Sequence, residues 1–391
     1  MESSDQTWLP PQYDISETPS LASTLKIGPD TGLVGNFPRV AKWSPDGSVV
    51  LAQCENRTFQ FFDATSQGSI GDSVAPIRAF PQAAPILDFV WYPTATPHNP
   101  AAFCFVASIR ECPVKLLDAS DGRLRASYRI VDHRERQIAP HSLAFNLTAQ
   151  RYITCHCFFA SFLRIVARLY CGFEDAIEIF DLSRPGEGSR MHTTPSKKSK
   201  DGLKGIISSI AFSPAYSPDE CFYAAGSFSP ISGNIAMFSD AGQEPLMFVG
   251  GGPSAGVTQL QFNPAKPHIL YATYRGKASG FVYSWDIRSN VDVPLEVFQS
   301  SPVGNDSKTN QKIRFDVDLA GRFLSIGDQR GNISVFDLDN PKSNDGETNS
   351  SLYGSSLEGM FDTKFSQPNL QFKAHDGKFN RLIHFHEFIQ H

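Results

Sequence analysis

Cysteine is sparse in this chain: seven among 391 residues, at positions 54, 104, 112, 155, 157, 171 and 221. An odd number at irregular spacing favours free thiols in a reducing compartment over a disulfide framework. Helix-periodic runs of useful length are missing, so an alternating strand–helix plan with a doubly wound sheet has nothing to build from. No P-loop, no H-E-x-x-H and no paired-cysteine zinc spacing occurs. Excess positive charge is lacking as well. With a net charge of −5, the chain as a whole is no non-specific polyanion binder, and any nucleic-acid contact must be local. The opening residues, MESSDQTWLPPQYDISETPS, have neither a basic n-region nor an apolar h-region. Neither a secretory signal nor an arginine-rich transit peptide is expected from them.

What is abundant is aromatic residues and turn formers: 31 Phe, 29 Gly and 27 Pro, a balance that favours sheet over helix. At a spacing of roughly fifty residues an aromatic anchors a short apolar stretch. These anchors are Trp43, Trp91, Phe145, Phe212, Phe262, Phe315 and Phe385. After each of the first six comes an apolar run ending in or beside an aspartate: Asp63, Asp118, Asp181, Asp240, Asp286 and Asp337. Phe37–Asp63 states the unit: a strand to Trp43, an SPDG turn, VVLAQC, an ENRT turn and FQFFD. Outer strands are expected in LRASYRI, PLMFVG and LEVFQ. Four strands per unit, repeated seven times, give an all-β, seven-bladed β-propeller.

The expected boundaries are a flexible leader over 1–30 and a propeller over 31–391. Within the third unit, RYITCHCFFASFLRIVARLYCGFEDAIEIFD carries about eighteen extra residues relative to the repeat. This insertion, 152–169, is about as long as a minimal membrane span but holds His156, Arg164 and Arg168. We read it as translated non-coding sequence, such as a retained intron; a spliced message that still encodes it refutes that. Residues 339–369 are rich in Ser, Asn and Gly and read as a solvated loop. The chain ends soon after LIHFHEF, so the last blade is expected to be incomplete and the ring open.

Several segments resemble the telomerase Cajal body protein family, WD-repeat proteins that bind small nuclear guide RNAs and telomerase RNA. They are AKWSPDGS (Ala41–Ser48), VASIRECPVKLLDASDGRLRASYR (Val106–Arg129), DHRERQIAPHSLAFN (Asp132–Asn146), YCGFEDAIEIFDLSRPG (Tyr170–Gly186), GIISSIAFSP (Gly205–Pro214) and GVTQLQFNP (Gly256–Pro264). AKWSPDG is generic to WD repeats, whereas Arg110-Glu111 through Leu124–Ser127 and His141-Ser142-Leu143 are more specific. The chain departs from the family pattern in its short leader, its insertion and its last blade. The resemblance implies a nuclear, non-enzymatic scaffold, with some presence in the cytoplasm left open. It would bind small nuclear RNA or telomerase RNA together with ribonucleoprotein proteins, as a monomer, with no cofactor and no membrane partner. A propeller that binds proteins only is the second reading, and an enzyme using the central channel is the third.

Candidate RNA-binding residues are Arg110, Arg123, Arg125, Arg129, His133, Arg134, Arg136 and His141, with Tyr128 among them. Guanidinium groups match phosphates and stack on unpaired bases, which is what a loop-RNA binder needs. The competing reading is an outer strand whose arginines are partly neutralised by Asp121, Asp132 and Glu135, with Arg110–Glu111 an exposed ion pair. The repeat aspartates are read as structural, bonding to turn backbone. Lys197, Lys198 and Lys200 form a basic run read as solvated surface. Cys155-His156-Cys157 is not read as a metal site, because neighbours on a strand point to opposite faces. Gly252–Gly256 spells G-x-S-x-G, but VTQLQF after it is a strand where a nucleophile elbow needs a helix. No catalytic or metal-binding residue is expected.

Overall fold

The computed structural model describes residues 12–21, 23–28, 33, 35–63, 73–146, 168–196, 198–199, 201–214, 221–240, 242, 244–300, 309–343 and 363–375, with no helix among them. The first strand, β1 (Thr24–Leu25), pairs in parallel with β5 (Ser73–Val74). Blade 1 is β2 (Pro38–Trp43), β3 (Val49–Cys54), β4 (Thr58–Asp63) and β6 (Arg78–Pro81). Blade 2 is β7 (Ile86–Trp91), β8 (Cys104–Ile109), β9 (Val114–Asp118) and β10 (Leu124–Tyr128). Blade 3 is β11 (Ser142–Phe145), β12 (Arg168–Phe173), β13 (Ala176–Asp181) and β14 (Ser189–His192). Blade 4 is β15 (Ile207–Phe212), β16 (Phe222–Ser227), β17 (Ile235–Ser239) and β18 (Pro245–Val249). Blade 5 is β19 (Val257–Phe262), β20 (Ile269–Tyr274), β21 (Phe281–Asp286) and β22 (Glu296–Gln299), widened by β27 (Lys364–Gln367) and β26 (Lys342–Ser343). Blade 6 is β23 (Phe315–Val317), β24 (Phe323–Gly327), β25 (Asn332–Asp337) and β28 (Leu370–Lys373).

These antiparallel blades form a β-propeller with six blades among the described residues. The seventh unit, around Phe385, lies outside them, as do residues 152–167 of the insertion; Arg168 and Leu169 belong to β12. The period of two is visible in the packing. From β3 and β4, Val49, Leu51, Phe59 and Phe61 join a core with blade 2, through Phe89, Trp91 and Phe105. The alternate residues Val50, Ala52, Cys54 and Phe62 face the other way, where Leu25, Ile27 and Val74 pack on them. Each large apolar side chain buried between blades contributes about 1.5–3 kcal/mol.

Neighbouring blades are also stitched near the axis. Asp88 Oδ2 accepts the Leu143 amide at 2.9 Å, Ser209 Oγ accepts that of Leu260 at 2.9 Å, and Gln259 Oε1 accepts that of Phe315 at 3.2 Å. Gly172 is required by close approach: a Cβ there would lie 2.4 Å from Ser142 Oγ and 2.7 Å from Ile207 Cγ2 of blade 4.

Three expectations need revision. Phe315 opens its strand instead of closing it: the ladder sets Val317 against Leu324 as it sets Trp43 against Val50, so Val317 holds the anchor position. The flanks of the serine-rich segment are strand, since β27 pairs in parallel with β22 and antiparallel with β26. Part of the leader is packed. The Tyr13 ring lies 6.0 Å from that of Phe323 in blade 6, while β1 lies beside blade 1.

Candidate functional site

In an antiparallel blade the start of the first strand, the turn between the second and third strands, and the connection to the next blade lie at one end. Those ends together make one face of the ring. The turn between second and third strands places a left-handed residue just before the third strand. Gly233, Gly280 and Gly331 hold that place in blades 4, 5 and 6, Arg57 (φ 64) and Asp175 (φ 56) in blades 1 and 3. Asp175 offsets the strain by accepting the Gly205 amide at 2.7 Å. In blade 2 the left-handed residue is Glu111, three residues before β9, with φ 60.

Between blades 1 and 2 this face opens into a cavity of about 620 Å³ whose lining includes Arg39, Arg57 and Arg110 beside Glu55 and Gln53. Arg39 is paired with Glu55. Arg110 and Arg57 make no side-chain hydrogen bond or ion pair among the described residues.

Closer to the axis, cations converge from several blades. Lys42 Nζ lies 3.4 Å from Asp88 Oδ1, 4.7 Å from the centre of the Phe89 ring, and donates to the Phe89 carbonyl. Burial would raise the Asp88 carboxyl, but Lys42, Arg314 and Lys312 hold it below the usual carboxylate value. Burial pushes the Lys312 ammonium down to about 8, with repulsion from Arg314 and Lys42 adding to it and Asp88 opposing. The Arg314 guanidinium is lowered by burial in the same way. Burial, then Lys312 and Arg110, lower His141 below the ordinary imidazole value. Phe228 joins this group: Arg275 Cζ lies 4.7 Å and Lys312 Nζ 5.2 Å from its ring centre, and Arg275 donates to its carbonyl at 3.1 Å. Several cations thus surround one carboxylate in a protein that is acidic overall.

The residues expected from sequence divide in two. On the opposite face, Arg125 is committed: it bonds Asp118 Oδ2 at 2.8 and 2.9 Å and the carbonyls of Pro100, Ala101 and Phe103. Arg123 also approaches Asp118, at 3.3 Å, and Tyr128 is buried with its hydroxyl donating to Leu182. Arg136 pairs with Asp132, which accepts the amides of Arg134 and Arg136 at 2.7 and 2.9 Å. Arg129, His133 and Arg134, in the connection to blade 3 and so on the face that holds Arg110, are exposed and carry no side-chain bond among the described residues. Arg110 and His141 are brought to the channel mouth, where the field of one acts on the other. Lys197 and Lys200 lie outside the described residues.

The repeat aspartates bond locally. Asp118, Asp181 and Asp286 accept the amides of Ser120, Ser183 and Arg288 at 2.8, 2.9 and 3.0 Å. Asp337 accepts those of Asp339 and Asn340 at 3.0 and 3.1 Å. Asp240 instead receives the Tyr170 hydroxyl from the neighbouring blade.

Sequence reasoning missed Lys42, Asp88, Phe228, Arg275, Lys312 and Arg314. A signal existed for two of them. Counted back from the anchor, blades 2 to 5 place Asp88, Ser142, Ser209 and Gln259 where blade 6 has Arg314, with Lys312 two residues earlier.

No family model matches the chain. It is 32% identical over 310 residues to Telomerase Cajal body protein 1 of Mesocricetus auratus, covering 78% of this chain and 51% of that protein. It is likewise 32% identical over 318 residues to Telomerase Cajal body protein 1 of Homo sapiens, covering 80% of this chain and 51% of the relative. A third match is the Guanine nucleotide-binding protein negative regulator 1 of Schizosaccharomyces pombe, 25% identical over 305 residues, 75% of this chain and 68% of that protein. The chain spans about half the length of the Cajal body proteins it matches.

Proposed function

The chain belongs to the telomerase Cajal body protein family, and from that premise we propose that it is a non-catalytic scaffold that binds a small nuclear or telomerase RNA. Its place is in ribonucleoprotein assembly or delivery to a nuclear body. The convergence of Arg110, Arg275, Lys312 and Arg314, with His141 beside them, on one face of an acidic protein carries this reading, since the phosphate backbone supplies much of RNA affinity. Arg57 and Arg110 in the cavity between blades 1 and 2, and Arg129, His133 and Arg134 along blade 2, extend the basic surface outward. Unpaired loops suit such a surface better than duplex, because single-stranded bases can splay into clefts and onto guanidinium planes.

The reading includes a seventh blade position between blade 6 and blade 1. Every other adjacent pair shares a hydrophobic core cluster among the described residues, and this pair shares none.

The test is ultraviolet crosslinking of the tagged protein in its own cells with sequencing of the attached RNA. Enrichment of guide RNAs or telomerase RNA is expected. Background RNA at intact expression overturns the reading in favour of a scaffold that binds proteins only.

A further inference from the structure

The stitch pattern near the axis isolates Arg314. At the corresponding positions Asp88, Ser209 and Gln259 each offer an oxygen that accepts the next blade's amide. A guanidinium has no acceptor and cannot make that bond. Arg314 Nε is shielded from solvent and has no hydrogen-bond partner among the described residues. A buried guanidinium donor left unbonded is costly, which marks a place where a ligand would be rewarded. Two residues away, the Lys312 ammonium makes no ion pair among the described residues and rests on Phe228, shared with Arg275. Asp88, whose field reaches both cations, is already held by Lys42 and the Leu143 amide.

We propose that the channel mouth is a binding site for a terminal phosphate group, held by Arg314 and Lys312 with Arg275 at its rim. A phosphate monoester carries close to two negative charges and three acceptor oxygens, which matches a cluster of donors without acceptors. The shielding of Arg314 Nε selects for a group that can enter end-on. An internal phosphodiester, with chain on both sides, meets the rim first. The group can sit on the end of a nucleic-acid strand or on a small molecule, and the chemistry is the same. The inference goes beyond the RNA reading, and the two fail separately.

The experiment uses the full chain and three probes: inorganic phosphate, a 5′-phosphorylated oligonucleotide and its 5′-hydroxyl twin, at matched ionic strength. Inorganic phosphate raises the melting temperature more than the same ionic strength of chloride. The phosphorylated oligonucleotide binds about tenfold tighter than its twin, the scale of one hydrogen-bonded charge. Arg314→Gln and Lys312→Gln erase both effects, so that within each variant the phosphorylated oligonucleotide binds no tighter than its twin, whatever the variant does to general RNA affinity. If only inorganic phosphate acts, and acts through these two residues, the site holds for a small ligand while the RNA reading loses support. No stabilisation by phosphate together with equal affinity for the two oligonucleotides overturns the proposal, as does phosphate stabilisation that survives in both variants. Should Arg314→Gln fail to fold, Lys312→Gln and Arg314→Lys carry the same comparison.

Discussion

Asp118 ends β9 with its side chain 2% exposed, between Ser120 and the fork of Arg125. Burial would raise its carboxyl, but the Ser120 hydroxyl and amide and the Arg125 guanidinium outweigh that and hold it at about 2. The folded-state value is below the unfolded one, so the stabilisation is complete above about pH 4 and is lost as pH falls through about 2. It is worth about 2 kcal/mol. Asp118→Asn should therefore cost about 2–4 kcal/mol at pH 6 in urea denaturation. The gap to wild type should close between pH 4 and pH 2; a gap that stays constant would reject this account. Arg57 supplies the opposite sign. Its left-handed backbone is strained and its side chain is unbonded among the described residues. Arg57→Gly should raise stability by up to about 1 kcal/mol and, on the proposed function, lower the salt slope of RNA binding by about one. A destabilised variant with unchanged RNA binding contradicts both halves.

At the level of strands, most of the architecture was written in the alternation of side chains. VVLAQC and FQFFD separate cleanly into residues facing blade 2 and residues facing β1, because a strand pairs with its neighbours at a period of two. What stayed hidden were features that depend on distant chain. Phe315 reads as an anchor in the sequence because aromatics mark that place elsewhere, yet its backbone is clasped by Gln259 at the start of the strand. The strand at Lys364–Gln367 has too little apolar pattern to announce itself and exists by pairing with β22. Gly172→Ala tests the inter-blade fit: with Ile207 and Ser142 in its way, the variant should lose about 1–3 kcal/mol in urea denaturation. The segment that carries Tyr13, Leu25 and Ile27 can be tested in the same way. Ile27→Ala should cost about 1 kcal/mol through its lost contact with blade 1, and an unchanged urea midpoint would reject that contribution.

For the whole ring, the candidate site shows how far sequence reading reaches. Eight basic residues were selected by their closeness in sequence, but a propeller assembles its faces from ends of strands some fifty residues apart. Arg123 and Arg125 therefore fall on one side of the ring and Arg110 and His141 on the other, while Lys312 and Arg275 arrive from blades 6 and 5. Local runs expose charge; only closure around an axis shows which charges meet. If RNA engages this face, its binding should fall with salt at a log–log slope of about −2 to −3. A fluorescence titration between low and physiological salt checks this, and an unchanged affinity favours the protein-binding scaffold.

The detour of the chain through β27 has a mechanical consequence. Having built the third strand of blade 6, the backbone crosses to lie along β22 and only then returns as β28 to finish blade 6. Two modules that a simple repeat would let unfold one after another are thereby clipped together. Under tension applied from the carboxyl end, blades 5 and 6 should rupture as a single event, with one contour-length step in a force trace.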